Sequence, residues 1–188
     1  MGKLIIITAP SGSGKSTIVS HLLDQFPKLA FSISATTRPR RPHEKEGKEY
    51  YFMNTPTFVR YIHQRRFVEW EEVYPNQFYG TLKSELKRLW QLNKHIVFDI
   101  DVKGGSDLKR MYPKNSLAIY IKPPSLESLR LRLEARNTET PEKITLRLER
   151  AQMEMQFENS FDAVVLNEDL ILAKHQAQIL VDKFIHGQ

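Results

Sequence analysis

The sequence predicts an α/β fold built on a central parallel sheet, and three observations carry that reading. Short apolar runs at 4–8, 95–100 and 117–121 read as strands buried on both faces, as strands of a parallel sheet are. Amphipathic stretches with a 3.6-residue period alternate with these runs, the strand–helix rhythm of an α/β domain. A glycine-rich turn joins the first run to the first helical stretch.

Taken in order, Leu4–Thr8 is the first strand, and Ser16 opens a helix that buries Ile18, Leu22 and Leu23 and ends before Pro27. Leu29–Ser34 reads as a second strand. The stretch 36–48 is polar, basic and broken by Pro39, Pro42 and Gly47, so it is a loop. Tyr50, Tyr51 and Phe52 suggest a strand, Thr55–Arg65 a helix with Phe58, Tyr61 and Ile62 at helical spacing, and Phe67–Val73 another extended piece. The texture of 35–84 differs from its surroundings and marks a small inserted lobe. Leu82, Leu86, Leu89 and Trp90 place an amphipathic helix over 81–92. The strand at 95–100 leads into Asp99 and Asp101, followed by a helix from about Gly105 to Tyr112 and a strand at 117–121. From Ser125 to Phe157 the chain is charged and helical, interrupted at Asn137–Pro141, where the proline suits a helix start. Phe161–Leu166 is the last strand, and Leu170–Ile185 a closing helix with Ala173, Ala177, Leu180, Val181 and Phe184 on one stripe.

A chain of 188 residues, 40% of them hydrophobic, suits one compact domain with small appended lobes. Cysteine is absent, which excludes disulfides and thiolate chemistry. The six histidines are not spaced like a zinc motif, and no apolar run reaches membrane-spanning length. A soluble cytoplasmic protein is the default expectation. The formal charge of +6 favours anionic partners without choosing among them. Its basic residues gather near 38–48, 60–66 and 130–150, between the strands, which favours a polyphosphate-binding cleft. No zinc-finger, arginine-glycine or RNA-binding sheet motif is present, so no nucleic-acid partner is expected.

The strongest local signal is Ala9-Pro10-Ser11-Gly12-Ser13-Gly14-Lys15-Ser16-Thr17. Set between a buried strand and a helix, it is a P-loop. Small residues let backbone N–H groups converge on phosphate oxygens, and the helix N-terminus adds unpaired donors. Lys15 is placed to offset charge on a transferred phosphoryl group, and the Ser16 hydroxyl to ligate Mg²⁺. The usual motif begins with glycine; here Ala9 stands in that place, which requires backbone angles open to an ordinary residue. An Asn-Lys-x-Asp base-reading segment is absent, which argues against a GTPase.

The P-loop is followed by Phe31-Ser32-Ile33-Ser34-Ala35-Thr36-Thr37-Arg38-Pro39-Arg40-Arg41, then Glu44, Gly47, Tyr50 and Phe52. Phe67-Val68-Glu69-Trp70, Phe78-Tyr79-Gly80-Thr81 and the run Asp99–Gly105 come next, and Arg136–Thr140 and Asn167–Leu170 complete the series. In this order the segments strongly resemble the guanylate kinase family, from Leu4 to Phe184. The resemblance implies a P-loop kinase that moves the γ-phosphoryl group of ATP to GMP, with Mg²⁺ as cofactor. It implies a core of 1–34, 85–125 and 157–188 that holds ATP, a GMP-binding lobe at 35–84 and a helical lid at 126–156. On the donor side it implies Ser11, Gly12, Ser13, Gly14, Lys15, Ser16 and Thr17 with Arg132 and Asn167. Arg38, Arg41, Tyr50 and Tyr79 would hold the GMP phosphate; Ser34, Glu69, Thr81 and Asp101 would read or position guanine. Ser16 and Asp99 would serve the metal, and Lys15, Arg38, Arg136 and Arg147 catalysis.

Elementary chemistry agrees with that division. Guanidinium forks and tyrosine hydroxyls suit a phosphate dianion. Guanine offers N1–H and a 2-amino group, both donors, which a carboxylate accepts and adenine does not match. Alternatives stay open on the residues alone. Tyr51 competes with Tyr50, Glu71 and Glu72 with Glu69, and Arg130, Arg132, Arg136, Arg147 and Arg150 with one another, since i,i+4 pairs with Glu134 or Glu154 would occupy some. The segment 73–78 departs from the shorter, glycine-containing turn of many relatives. Rival readings are a kinase for another phosphorylated acceptor and a noncatalytic module of the same fold, against which the joint presence of Ser34 with Glu69 and the intact P-loop argue. Oligomeric state is not legible.

Overall fold

A computed structural model describes residues 2–135 and 140–187. Its main sheet has five parallel strands in the order β2-β7-β1-β8-β9: β1 (Leu4–Thr8), β2 (Leu29–Phe31), β7 (His95–Ile100), β8 (Ser116–Lys122) and β9 (Ala163–Leu166). β1 lies at the centre and every residue of it is buried. Successive side chains point to opposite faces, which sorts the core into two layers. Ile5 and Ile7 pack with Val97 and Ile119 against α1 (Lys15–Gln25) and α7 (Leu170–His186). Leu4 and Ile6 pack with Ile96 and Phe98 against α3 (Lys83–Gln91) and α4 (Val102–Met111). An apolar strand with no alternation is what two covered faces demand.

A second, four-stranded sheet has the order β4-β3-β6-β5, with β3 (Ala35–Thr36), β4 (Tyr51–Phe52), β5 (Phe67–Tyr74) and β6 (Gln77–Leu82). Helix α2 (Thr55–His63) covers it, and the fully buried Phe58 stacks on Phe67 with ring centres 4.3 Å apart. Asn54 caps α2 by accepting from the Thr57 N–H at 2.8 Å, and Pro56 occupies the first turn. Beyond β8 come α5 (Leu126–Ala135), α6 (Pro141–Glu154) and a 3₁₀ turn, Met155–Ser160. No helix among the described residues is long and apolar enough to cross a membrane.

Several elements differ from the sequence reading, each for a local reason. Thr81 and Leu82 belong to β6, not to the start of a helix. Their apolar spacing fits both periods, and pairing of Glu69 with Thr81 and Phe67 with Leu82 decides for the strand. The hairpin β5–β6 turns on Pro75 and Asn76, with Asn76 at φ 61. Proline followed by a positive-φ asparagine is what a type II turn asks of its two central residues, so the turn works without the expected glycine. The strand at 29 stops at Phe31, because the chain leaves the main sheet and re-pairs at Ala35 in the second. α4 begins at Val102, three residues earlier than expected. Asp101 caps it, its carboxylate accepting from the Gly104 N–H at 2.9 Å, and Gly104 and Gly105 are tolerated inside it by burial. The last strand begins at Ala163, two residues later than the apolar run suggests.

Candidate active site

The carboxyl ends of β1 and β7 meet at one edge of the main sheet, where ligands of open α/β sheets bind. From β1 the chain enters the loop 9–14, whose Gly12 and Gly14 adopt φ 90 and 91. A side chain at Gly14 would be strained by that angle, and its Cβ would stand 2.6 Å from Asn167 Nδ2. That amide donates to the Ser13 carbonyl at 2.6 Å, and Arg132 donates to the Asn167 carbonyl at 2.8 Å. Asn167 and Arg132 thus brace the loop from behind. α1 starts at Lys15 with no side-chain cap among the described residues, and the Thr17 N–H donates to the Gly14 carbonyl at 3.2 Å. Ala9 has an ordinary φ and is buried in the core, its methyl packed with Ile18 and Val19, so alanine fits where glycine is usual.

The loop opens onto a cavity of about 570 Å³ lined by residues 11–17, Ser34, Tyr50, Asp99 and Arg147. Lys15 Nζ donates to the Ala9 carbonyl at 2.8 Å, and Arg147 donates to Ser11 Oγ at 2.6 Å. Ser16 Oγ donates to Asp99 Oδ2 at 2.6 Å. A hydroxyl and a carboxylate side by side form a hard oxygen pair that suits Mg²⁺, which takes one or two protein oxygens and completes its shell with phosphate and water. No group of three histidine, cysteine or acidic residues that could hold a metal is found among the described residues.

A second cavity, about 210 Å³, adjoins the first and shares Ser11, Lys15, Ser34, Tyr50, Asp99 and Arg147 with it. Its far wall carries Glu69, Tyr79 and Asp101. Glu69 is 7% exposed, and its Oε1 has no hydrogen-bond partner among the described residues; nor does the fully buried Thr81 Oγ1 on the paired strand. Burial pushes the Glu69 carboxyl up to about 7; the Thr81 hydroxyl and amide beside it draw it partly back, and the neighbouring Asp101 charge adds to the rise. Gly104 makes room for this carboxylate: a Cβ there would stand 2.8 Å from Glu69 Oε2.

Near the mouth, Arg38 is held by a fork to Glu44, Nη2 to Oε1 at 2.7 Å and Nη1 to Oε2 at 3.0 Å. The Arg38 hydrogen bonds and the Arg41 amide at 2.8 Å draw the Glu44 carboxyl down to about 2. The Arg38 guanidinium lies 5.2 Å from the Tyr50 ring centre, and Tyr50 meets Tyr79 edge-on at 6.0 Å. Arg41 is exposed beside them.

The guanylate kinase family model matches residues 1–183. The chain is 46% identical to the guanylate kinase of Bacteroides thetaiotaomicron, over all of this chain and 92% of that one. It is 46% identical to that of Porphyromonas gingivalis (98% and 99% covered) and 41% identical to that of Salinibacter ruber (97% and 96%). The crystal structure of guanylate kinase from Anaplasma phagocytophilum superposes with a TM-score of 0.77 at 30% identity, covering 98% of this chain and 87% of that one. The chain belongs to the guanylate kinase family.

Of the residues singled out in the sequence, most converge on the two cavities. Arg38, Arg41, Thr81, Arg132 and Asn167 line neither; Thr81 sits behind Glu69, and Arg132 and Asn167 behind the P-loop. Arg136 lies outside the described residues. The rivalry between adjacent tyrosines resolves geometrically. Tyr50 lines both cavities, whereas Tyr51 packs in the second core and donates to Glu85 at 3.0 Å. Arg130 forms exposed pairs with Glu127 and Glu134 at 2.6 and 3.1 Å, the surface alternative raised for it. Sequence reasoning assigned no role to Glu44, whose only signal was its place after Arg41, or to Arg150, which is held by three partners, Glu154 on its own helix and Val73 and Glu71 on β5.

Proposed function

We propose that this chain transfers the γ-phosphoryl group of ATP to GMP, giving ADP and GDP. The observation that carries the acceptor's identity is the buried Glu69 carboxylate, with one oxygen unpaired, at the end of a cavity that begins at Lys15. Guanine N1–H and its 2-amino group supply the two donors such a carboxylate lacks. Adenine presents an acceptor at N1 and would leave the carboxylate buried and unsatisfied, a mismatch that rejects the wrong base strongly.

The site residues divide as follows in this reading. Residues 11–17 cradle the ATP phosphates with backbone N–H groups, and Arg132 and Asn167 hold that loop rigid. Ser16 and Asp99 hold Mg²⁺, which when bound neutralises phosphate charge. Arg38, Arg41, Tyr50 and Tyr79 take the GMP phosphate, and Ser34, Glu69, Thr81 and Asp101 the base. A GMP phosphate oxygen, already anionic, attacks the γ-phosphorus in line. The bond from that phosphorus to the β–γ bridging oxygen breaks, and its electron pair stays on ADP. No general base is required. Lys15 and Arg147, at the junction of the two cavities, offset the charge in flight; Arg136 is assigned the same task. The segments 35–84 and 126–156 act as acceptor lobe and lid, and closure between them keeps water from the γ-phosphate.

Coupled ADP release with GMP, AMP, CMP and UMP as acceptors tests this reading. GMP is expected to exceed AMP by at least about 10³ in kcat/KM. Equal use of AMP would remove the guanine assignment.

A further inference from the structure

Arg150 lies on α6, is 20% exposed, and reaches across three parts of the fold. Its Nε binds Glu154 of the same helix at 2.7 Å, its Nη1 donates to the Val73 carbonyl at 2.9 Å, and its Nη2 to Glu71 Oε1 at 3.3 Å. Asp101 Oδ2 lies 3.9 Å from the same Nη2. Glu71 shares a strand face with Glu69, because side chains on β5 alternate up to the register shift between Glu72 and Tyr74, where the Val73 carbonyl turns to Arg150. One guanidinium therefore grips the strand that carries Glu69 and neighbours the cap residue Asp101. Arg150, Val73 and Glu154 also form a partition. They line the acceptor cavity on one side and, on the other, a larger apolar cavity of about 570 Å³ between the β5 end, α4 and α6.

Three carboxylates surround this one cation. Without it, the Val73 carbonyl and the Glu71, Glu154 and Asp101 carboxyls would lose their common hydrogen-bond donor in a poorly solvated site, and β5 would lose this tie to α6 and Asp101. Burial and Asp101 already push the Glu71 carboxyl up to about 8 with Arg150 in place.

We propose that Arg150 is a positioning residue for the acceptor base, an ionic latch from α6 that holds Glu69 and Asp101 in the arrangement that receives guanine. This rests on the GMP reading above. It touches no reacting atom, so its effect belongs in acceptor affinity and not in the chemical step.

The test is steady-state kinetics of the full chain with GMP and ATP varied separately, for Arg150→Met, Arg150→Lys and Glu71→Gln, with thermal unfolding recorded for each. Arg150→Met is expected to raise KM for GMP about tenfold, with KM for ATP and kcat within a factor of about two. Arg150→Lys, which keeps the charge and loses the fork, is expected to recover most of the loss. The double variant Glu71→Gln, Arg150→Met is expected to cost less than the product of the singles. An unchanged KM for GMP in Arg150→Met overturns the proposal, as does an equal rise for both substrates. If Arg150→Met does not fold, Glu71→Gln decides: its KM for GMP is expected to rise, and an unchanged KM overturns the latch. Wild-type turnover of GMP is the control that separates the claims, since its absence defeats the GMP reading, whereas its presence with an insensitive Arg150 defeats the latch alone.

Discussion

The two cavities are built on opposite principles. The first cavity is floored by one continuous stretch, residues 11–17, with backbone donors fixed by Gly12 and Gly14 and braced by Asn167, and walled by Ser34, Tyr50, Asp99 and Arg147. The acceptor cavity gathers side chains from β5, β6 and the loops after β1 and β7, and its distinctive group is an unpaired buried acceptor, Glu69 Oε1. A site of backbone donors recognises phosphate in any nucleotide. A site with a buried carboxylate discriminates, because the wrong partner leaves it unsatisfied. Generality and specificity are thus divided between two adjoining spaces, with Lys15 and Arg147 at their boundary.

That contrast breaks most severely at Lys15. Lys15→Met is expected to lower kcat by about 10³ or more while unfolding temperature and GMP binding hold, because the charge it offsets develops only in transfer. Wild-type turnover in that variant would remove its role. Next in size is Glu69→Gln, expected to lower kcat/KM for GMP by about 10²–10³ with little change in KM for ATP. This sharpens the comparison, since only the acceptor cavity is touched.

The pH dependence follows from the same carboxyl. On the proposed reading guanine is received by ionised Glu69, and in the free protein its carboxyl is held up to about 7. KM for GMP is therefore expected to rise about tenfold as pH falls from 8 to 6, and GMP binding below pH 7 to release a proton. A matched profile for Glu69→Gln, in which the rise is lost, separates this from titration of the GMP phosphate itself. The sign for stability is opposite. A carboxyl raised in the folded state contributes stability that is full below its unfolded value near 4.5 and is lost as pH rises through 7. Denaturant titrations of the wild type and Glu69→Gln should converge at low pH and part at high pH, the glutamine form being the more stable.

Much of this was legible in the sequence, and the limits are instructive. The strands β1, β7 and β8 were plain because apolar runs without alternation have few other uses. The P-loop was plain because its chemistry is local. The hairpin β5–β6 was half hidden: Pro75 and Asn76 replace the usual glycine, and the positive φ of Asn76 is visible only in the fold. Thr81 and Leu82 were ambiguous because a threonine followed by a leucine at a strand end also fits the first turn of a helix. The choice between Tyr50 and Tyr51 rests on Tyr51 entering β4 and reaching Glu85, a residue 34 positions away. Arg150 was undecided for the same reason, since its i,i+4 partner Glu154 was readable and its bonds to Glu71 and Val73 were not.

Smaller effects are expected at the braces. Glu44→Gln loosens Arg38 and is expected to raise KM for GMP about threefold to tenfold, with kcat less affected. The Glu44 carboxyl is held down to about 2, so the stability it contributes is present above pH 4.5 and lost as pH falls from there toward 2. Acid titration of the variant should lack that part of the transition. Ala9→Gly is expected to change least, within about 1 kcal/mol of stability and twofold in turnover, because the backbone angle at Ala9 is already ordinary.

The most direct measurement is the ratio of kcat/KM for GMP to that for AMP, in the wild type and in Glu69→Gln. The expected result is a ratio of about 10³ or more in the wild type that falls at least about tenfold in the variant, with KM for ATP unmoved. A ratio unchanged by the substitution would contradict the assignment of guanine recognition to the buried carboxylate.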